Sequence, residues 1–185
     1  MRADRAQAKL PIDSVLERKT NRAERSHGMV MLSIRLAVTV LVVGLLLGVV
    51  GGLSVVRGSS MEPALHEGDV VLLYRLGKPQ RGDIVILRRG GAREHLVKRV
   101  LAVGGDEVRI DDEGGVLING VHEPGGALLD ATFAIEGGVS FPYRVPSGSV
   151  FLLGDNRAAS KDSRELGAFQ QGEIAGKVIL VIGRR

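Results

Sequence analysis

The chain has 185 residues and a net charge of +4, and 44% of its residues are hydrophobic although only 3% are aromatic. It contains no cysteine, which excludes disulfides and thiolate metal sites, and its four histidines are scattered without ligand-like spacing, which argues against a zinc or di-metal enzyme. Residues 1–35 hold eight basic and four acidic residues, which accounts for the whole net charge; this pattern is typical of membrane topology and not of a nucleic-acid-binding face.

The first predicted element is a polar, charged tail at residues 1–28. Its apolar content is too low for a packed domain. Ser14 is followed three residues later by Glu17, a spacing that can cap one short helix. We therefore expect a mobile basic tail with at most one helical stretch.

A transmembrane anchor is predicted at residues 29–56. Residues 36–56 form a run of 21 residues without a charge, and about 20 apolar residues suffice to cross the hydrocarbon core as a helix. A cleaved secretory signal is the alternative, but its apolar region normally spans about 7–15 residues, so an uncleaved anchor is favoured. Because the basic residues precede the run, the N-terminus is expected in the cytoplasm and everything after Val56 outside it.

Residues 57–185 are predicted to form an extracytoplasmic domain made mainly of β-strands. Short runs rich in Val, Ile and Leu recur between turn residues, and Asn119-Gly120 separates two of them as a hairpin turn. Residues 111–146 are glycine-rich and less patterned, which predicts a smaller subdomain or flap. The spacing favours an antiparallel sandwich or barrel-like fold. Strands are expected at residues 69–74, 83–88, 95–103, 107–110, 143–146, 149–154 and 176–183, and on both sides of the hairpin turn.

Lys98 is the most informative candidate residue because of its place in the strand at residues 95–103. Strand alternation puts Lys98 on one face with Leu96 and Val100, which should point inward. Burial lowers the pKa of a lysine, and a neutral amine can take a proton from a serine hydroxyl. The alternative is an edge-strand lysine that keeps its ammonium in water, so Lys98 alone does not indicate catalysis.

Two further segments supply partners for such an amine. In RGSSMEPAL, Pro63 restricts the backbone after Ser60 and Gly58 allows close backbone approach, although a serine after a membrane helix is by itself ordinary linker. The second segment, GDNRAASKDSRELG, brings a hydroxyl, a carboxylate and a guanidinium into a short stretch. Such a cluster can aim a lysine amine and brace its own loop. Its members are Ser160, Asp162 and Arg164.

Taken in order, the motifs SSMEPAL, RGDIVILR, VKRVLAVGGDEV and GDNRAASKDSRELG resemble those of bacterial type I signal peptidases, the serine–lysine leader peptidases. With the anchor, the resemblance covers nearly everything from residue 36 to the C-terminus. It implies a single-pass plasma-membrane serine endopeptidase that removes signal peptides from exported preproteins through an acyl-enzyme, without a cofactor or metal. It also implies contact with the lipid bilayer and the secretion translocase, and none with nucleic acid.

The resemblance assigns roles residue by residue. Ser60 matches the nucleophile, Lys98 the general base, and Ser160 the serine that hydrogen-bonds the lysine ammonium. Gly58 stands where some members carry a serine that contributes to the oxyanion hole, so the backbone N–H of Ser60 remains as a donor. A substrate is expected to dock as an added strand between residues 53–58 and 95–98. The remaining matches are supporting or substrate-binding residues: Asp162, Arg164, Met61, Asp155, Arg99, Leu96, Val97 and Val56.

Two other functions remain open from the sequence. A conjugation-type processing peptidase of the same fold would share Ser60 and Lys98 as its dyad. A non-enzymatic anchored β-domain would bind exported chains by strand addition, with the same two residues incidental. Self-cleaving repressor-type relatives are soluble and carry a DNA-binding region, so the predicted anchor argues against them.

Overall fold

The computed structural model describes residues 12–89, 94–123 and 131–183. The chain forms two units, Met1–Leu46 and Leu47–Arg185. The first consists of most of helix α1 (Ile12–Val50), of which Gly28–Leu45 is long and apolar enough to cross a membrane by length and composition. Residues 1–11 of the predicted tail and residues 124–130 of the predicted subdomain lie outside the described residues.

Helix α1 begins closer to the N-terminus than the predicted anchor and ends six residues before the predicted end of that anchor, at Val50 and not at Val56. It begins at Ile12, so most of the predicted tail is helical, and it ends at Val50. Gly51–Val55, which the apolar run included in the anchor, is instead a strand. Two adjacent glycines are poor helix formers, and strand pairing satisfies their backbone groups. The 22 helical residues left from Met29 to Val50 are about 33 Å long, still enough for a hydrocarbon core of about 30 Å.

The second unit is built from two antiparallel sheets. The larger has the strand order β1-β2-β11-β3-β4-β9-β10 and the smaller β7-β6-β5-β8. Strand bounds are β1 Gly51–Val55, β2 Val70–Tyr74, β3 Ile84–Arg89, β4 Glu94–Val103, β5 Glu107–Ile110, β6 Val116–Ile118, β7 Val121–His122, β8 Tyr143–Arg144, β9 Ser149–Leu153, β10 Phe169–Gln170 and β11 Ile174–Ile182. A four-residue helix, α2 (Ser163–Leu166), follows β9. The predicted mainly β fold with antiparallel sheets after one apolar helix is therefore confirmed.

Each predicted strand is present within one or two residues of its expected bounds, whereas β1 and β10 were not predicted. The predicted hairpin is also confirmed. Ile118 pairs with Val121 across Asn119-Gly120, and both turn residues have positive φ, 53° and 81°. These values are those of a type I′ turn, which favours asparagine and glycine.

The beginning of β1 is fastened to the turn that follows β2. The Arg75 backbone N–H donates to the carbonyl of Val50 (2.9 Å), and its guanidinium donates to the carbonyl of Gly48 (2.8 Å). Carbonyls in the last turn of a helix lack intrahelical partners, so Arg75 satisfies two of them. The last helical residues are thereby tied to the larger sheet.

One face of β1, β2 and β11 is apolar and largely open to solvent. The register aligns Leu53 with Leu72 and Leu72 with Leu180, and aligns Val55, Val70 and Ile182 in the same way. The side chains on the two outer strands of these rows are exposed, whereas Val71 and Leu73, on the other face of β2, are buried in the core. We call the six aligned side chains the apolar face.

Asp106 joins the two sheets. Its carboxylate accepts hydrogen bonds from the Val103 N–H at the end of β4 (2.8 Å) and from the Asn119 amide of the β6–β7 turn (3.0 Å). It also forms an ion pair with Arg81, which precedes β3. Phe151 packs nearby against the rings of Phe141 and Tyr143, with centroids 6.2 and 5.2 Å away. The GGD turn that the sequence places before β5 therefore fixes the smaller sheet.

Candidate active site

Ser60 lies in a tight turn between β1 and β2 whose neighbours are held by the core. Met61 and Leu65 are fully buried, and the Leu65 N–H donates to the Met61 carbonyl (2.9 Å). The carbonyl of Ser60 accepts a hydrogen bond from the Asn156 N–H (3.2 Å). The hydroxyl of Ser60 is therefore carried on a backbone fixed both by the core and by the loop after β9, not on a free linker.

Lys98 approaches the same point from β4. Its side chain is only 3% exposed, and Val100 on the same face is buried, as the alternation predicted. Its Nζ donates to the Ser60 Oγ at 2.6 Å. The structure thus brings together the two residues that the sequence singled out, although they are 38 positions apart.

The surroundings of Lys98 favour a neutral amine. Burial lowers the pKa of the Lys98 ammonium, and the carboxylates of Asp162 and Asp155 partly oppose this by raising it. The net direction is downward from the ordinary value. An amine with a lowered pKa, in contact with a hydroxyl, can accept the proton of that hydroxyl.

Ser160 does not make the hydrogen bond that the resemblance implied. Its Oγ is buried and has no hydrogen-bond partner among the described residues. The hydroxyl instead packs against Gly154, where an added Cβ would collide with the Ser160 side chain and with the Ser60 carbonyl oxygen. Lys98 donates its hydrogen bond to Ser60, and within the part of the chain that the structure describes no group pairs with the Ser160 hydroxyl.

Asp162 and Arg164 form a buried ion pair that shapes the loop after β9. The Asp162 carboxylate is bonded to Arg164 Nε at 2.9 Å and to Nη2 at 3.0 Å, and both side chains are almost fully buried. Asp162 also caps α2 and accepts the Gly154 N–H at 3.2 Å. The Arg164 guanidinium in turn donates to the carbonyl of Arg157 at 2.7 Å.

Asp162→Asn is expected to destabilise the protein strongly. Removing one partner of a buried ion pair costs about 3–5 kcal/mol because the other charge stays buried, whereas asparagine caps a helix as well as aspartate does. Any loss of stability in Asp162→Asn therefore measures the contribution of the ion pair and not that of the helix cap. Thermal unfolding of the full chain in detergent micelles should show it as a lower Tm. Glu165→Gln, in the exposed Lys161–Glu165 pair, is the matched control, with a cost of about 1 kcal/mol or less; equal losses in the two variants would contradict the role of the buried pair.

Arg99 and Asp155 form a second bidentate pair next to Lys98. The guanidinium donates to the Asp155 carboxylate through Nε at 2.7 Å and Nη2 at 2.6 Å. Its Nη1 donates to the carbonyl of Gly82. Hydrogen bonding to Asp155 raises the pKa of Arg99, so its charge is retained. The residue after Lys98 thereby holds the GDN turn against β4.

The other predicted site residues differ in how accessible they are. Gly58 is exposed and has φ of +77°, a conformation in which a serine would be strained. Val56, Met61 and Val97 belong to one buried core cluster, whereas Leu96 is half-buried. Of these residues only Leu96 and Gly58 offer substantial surface; Val56, Met61 and Val97 support the site from beneath.

Sequence reasoning missed a buried ion pair behind the site. Arg157 is bonded to both carboxylate oxygens of Glu123 at 2.8 Å, and the two side chains are only 2% and 8% exposed. Arg157 also donates to the Gly154 carbonyl at 3.1 Å and to the Thr132 hydroxyl. An arginine in a polar loop is normally expected at the surface, so the local sequence does not predict that Arg157 is buried with Glu123.

Two strands present unpaired edges near Ser60. Residues 95–98 of β4 pair with β3 on one side, whereas β9 begins to pair with β4 only at Arg99. Among the described residues, β1 is the terminal strand of the larger sheet and pairs only with β2. An extended peptide can be hydrogen-bonded by such edges. In the part of the chain that the structure describes, no cluster of three His, Asp or Glu residues is placed to hold a metal ion.

Comparisons with known proteins are consistent with one another. A sequence profile for the family described as "Signal peptidase, peptidase S26" matches residues 29–182. Signal peptidase I of Bacillus licheniformis is 37% identical over 132 residues, covering 65% of this chain and 70% of that protein. Signal peptidase I T of Bacillus subtilis (strain 168) is 38% identical over 133 residues, covering 65% and 68%. The crystal structure of a signal peptidase I from Enterococcus faecalis V583 is 29% identical with a TM-score of 0.44, covering 56% of this chain and 98% of that one.

Proposed function

The chain belongs to the signal peptidase family, peptidase S26, and on that premise we propose that Ser60 and Lys98 carry out its reaction as nucleophile and general base. Its activity is that of a serine endopeptidase that removes signal peptides, so its substrates are preproteins that carry them. The observation that supports the dyad is the 2.6 Å hydrogen bond between Lys98 Nζ and Ser60 Oγ, made by a buried amine.

The proposed chemistry proceeds through an acyl-enzyme. Neutral Lys98 takes the proton of the Ser60 hydroxyl while Oγ attacks the carbonyl of the last signal-peptide residue. Protonated Lys98 then gives its proton to the leaving amine of the mature protein. Lys98, neutral again, activates the water that hydrolyses the ester on Ser60. No step requires a metal or cofactor.

We propose the backbone N–H of Ser60 as a donor to the oxyanion. Among the described residues this N–H donates no hydrogen bond within the chain. A preorganised backbone donor stabilises the charge that develops on the attacked carbonyl. Gly58 carries no hydroxyl, and its φ of +77° would strain a serine at this position. The side-chain donor that the resemblance implies for some relatives therefore has no equivalent at residue 58.

We propose that the signal peptide binds as an added strand between β1 and residues 95–98 of β4. The unpaired edges of both strands support this arrangement, because an extended peptide can exchange main-chain hydrogen bonds with them. Half-buried Leu96, which packs against the core cluster that contains Val85, Leu87 and Val100, would then contact the peptide's side chains. Shallow contacts of this kind suit small side chains at the first and third positions before the cut.

The membrane arrangement is also a proposal. We place residues 1–28 in the cytoplasm, the membrane-spanning part of α1 between Met29 and Val50, and the catalytic domain from β1 onward outside, with 111–146 as a subdomain. The apolar helix supports anchoring, and the preceding basic residues support this orientation. The apolar face of β1, β2 and β11 supports contact between lipid and the catalytic domain. The secretion translocase would deliver the substrate.

Purified full-length chain in detergent micelles tests the function directly. Incubation with a preprotein should yield one cut after a small residue, located by mass spectrometry of both products. Activity on precursors of conjugation proteins and none on signal-peptide substrates would favour the conjugation-type processing peptidase. Binding of preprotein without any cut would favour a non-enzymatic β-domain.

Activity should rise with pH through the lowered pKa of Lys98. The unprotonated amine is the active form, and burial lowers its pKa. The acidic limb of kcat/KM against pH should therefore lie below about 10.4, the ordinary value for lysine. The profile is measured with a signal-peptide substrate whose own groups do not titrate in that range. A limb at or above the ordinary value would mean that the amine is not the base.

A further inference from the structure

The buried ion pair of Arg157 and Glu123 contacts Gly154, a backbone residue that packs against the carbonyl of Ser60. Arg157 Nε donates to the Gly154 carbonyl at 3.1 Å, and the Gly154 N–H donates to Asp162 at 3.2 Å. The Cα of Gly154 packs so closely against Ser160 and the Ser60 carbonyl that no Cβ fits there. The backbone N–H and the carbonyl of Gly154 are thus both bound by buried charged side chains.

Gly154 directly follows the last paired residue of β9. Strands β4 and β9 pair Val100 with Leu152 and Arg99, the residue after Lys98, with Leu153. Arg157 therefore holds the piece of backbone that continues from the end of this pairing and packs against the carbonyl of the proposed nucleophile, Ser60.

The charged side chains around Gly154 balance. Arg99 pairs with Asp155, Arg164 with Asp162, and Arg157 with Glu123. The charges that reach Lys98 are the carboxylates of Asp162 and Asp155. From its other neighbours it meets Val85 of β3 and the hydroxyl of Ser60. Glu123 belongs to the same cluster, since its carboxylate contributes to the raised pKa of Arg99.

We propose that Arg157 is a positioning residue for peptide-bond cleavage, and that Glu123 and Thr132 keep it in place. Its guanidinium fixes the Gly154 carbonyl in the backbone that packs against Ser60, and the Glu123 carboxylate balances the charge of Arg157 within the cluster of ion pairs near Lys98. The proposal rests on the function proposed above. It assigns to Glu123, 34 positions before Arg157, a part in the reaction without any contact with substrate.

Charge-changing variants give results of opposite sign. Glu123→Gln leaves an uncompensated positive charge, which should shift the titration of Lys98 to lower pH. Arg157→Gln leaves the Glu123 carboxylate uncompensated and should shift it to higher pH, and the double variant should lie between them. The titration is followed by NMR of lysine labelled with ¹³C at Cε, in the full chain in micelles, with Lys98→Ala identifying the signal. Shifts of the same sign, or no shift in either single variant, would overturn the charge-balancing role.

A charge-conserving variant tests positioning separately. Arg157→Lys keeps the positive charge but cannot bond Glu123, Thr132 and Gly154 together. We expect kcat to fall about 10–100-fold, the effect of a small misplacement of reacting groups, with KM and the Lys98 titration nearly unchanged. Glu123→Asp and Thr132→Val are milder variants that should fold if Arg157→Lys does not, with smaller losses of kcat. An unchanged kcat in a folded Arg157→Lys or Thr132→Val variant would overturn the positioning role.

The control is an exposed pair in the same loop. Glu165→Gln makes the same chemical change as Glu123→Gln, in a pair whose side chains are 57% and 37% exposed, and should change neither kcat nor the Lys98 titration. Failure of the proposed function is recognised differently, because the unsubstituted chain would then leave preprotein uncut. The titration of Lys98 is measured without substrate, so it tests the charge-balancing role whether or not the chain cleaves.

Discussion

Replacing Ser60 with alanine should lower kcat for preprotein cleavage by about 10⁴-fold or more, the size of effect seen when a serine nucleophile is removed. The variant loses one hydroxyl and the 2.6 Å contact with Lys98, whereas Met61 and Leu65 still hold the turn in the core. The fold and Tm should therefore be kept. Cleavage is measured with a purified preprotein, by the appearance of the mature protein with time.

The neighbouring serine provides the matched control. Ser59 is exposed, and its carbonyl, not its hydroxyl, accepts the Glu62 N–H at 3.1 Å. Ser59→Ala should therefore retain normal cleavage. If Ser59→Ala were inactive and Ser60→Ala active, the nucleophile would be Ser59 and not Ser60. Normal activity in both variants would show that neither serine of this turn is the nucleophile.

Lys98→Arg should be equally inactive although it keeps a positive charge. A guanidinium stays protonated in proteins and cannot take the Ser60 proton, whereas the proposed mechanism needs an amine that loses its own. The expected fall in kcat is again about 10⁴-fold or more. The measurement is single-turnover cleavage, in which acylation is observed directly. Substantial activity in Lys98→Arg would show that the residue acts only through its charge.

Lys98→Met separates activity from stability. Burial lowers the pKa of Lys98 in the folded state, so the unfolded chain binds the proton more tightly. The stability of the unsubstituted protein is therefore reduced below the folded-state pKa and rises with pH between the folded-state and unfolded-state values. Methionine has no proton to lose, so Lys98→Met should be inactive, should unfold at a higher Tm near neutral pH, and should lack this rise. A Tm below that of the unsubstituted chain at neutral pH would contradict a Lys98 pKa that burial lowers in the folded state.

Local patterns account for most of the fold. Aliphatic runs between turn residues identified the long strands, and Asn119-Gly120 identified the hairpin because both residues accept positive φ. The pattern failed at β1, since a short apolar stretch that continues an apolar helix has no period of its own to mark the change. Strand β10 was missed because two residues, Phe169–Gln170, carry too little pattern to predict a strand.

The site was predictable where it depends on strand alternation and motif order. Lys98 was expected on an inward face of its strand, and its burial confirms this. Its contact with Ser60 could be expected only from the resemblance, because it joins segments 38 positions apart. The burial of Arg157 depends on Glu123 and Thr132, which come from distant segments, and the position of the Ser160 hydroxyl depends on how Gly154 packs. Neither follows from local sequence.

The attachment of Arg75 to Gly48 and Val50 determines where the protein can be shortened for work without detergent. The apolar run suggests cutting at Arg57, but that cut would delete β1 and expose β2 as a bare hydrogen-bonding edge, which invites aggregation. A soluble form should instead start at Leu47, where the second unit begins. It would still carry Leu53 and Val55, so its solubility would depend on masking a few aliphatic side chains and not on removing a strand.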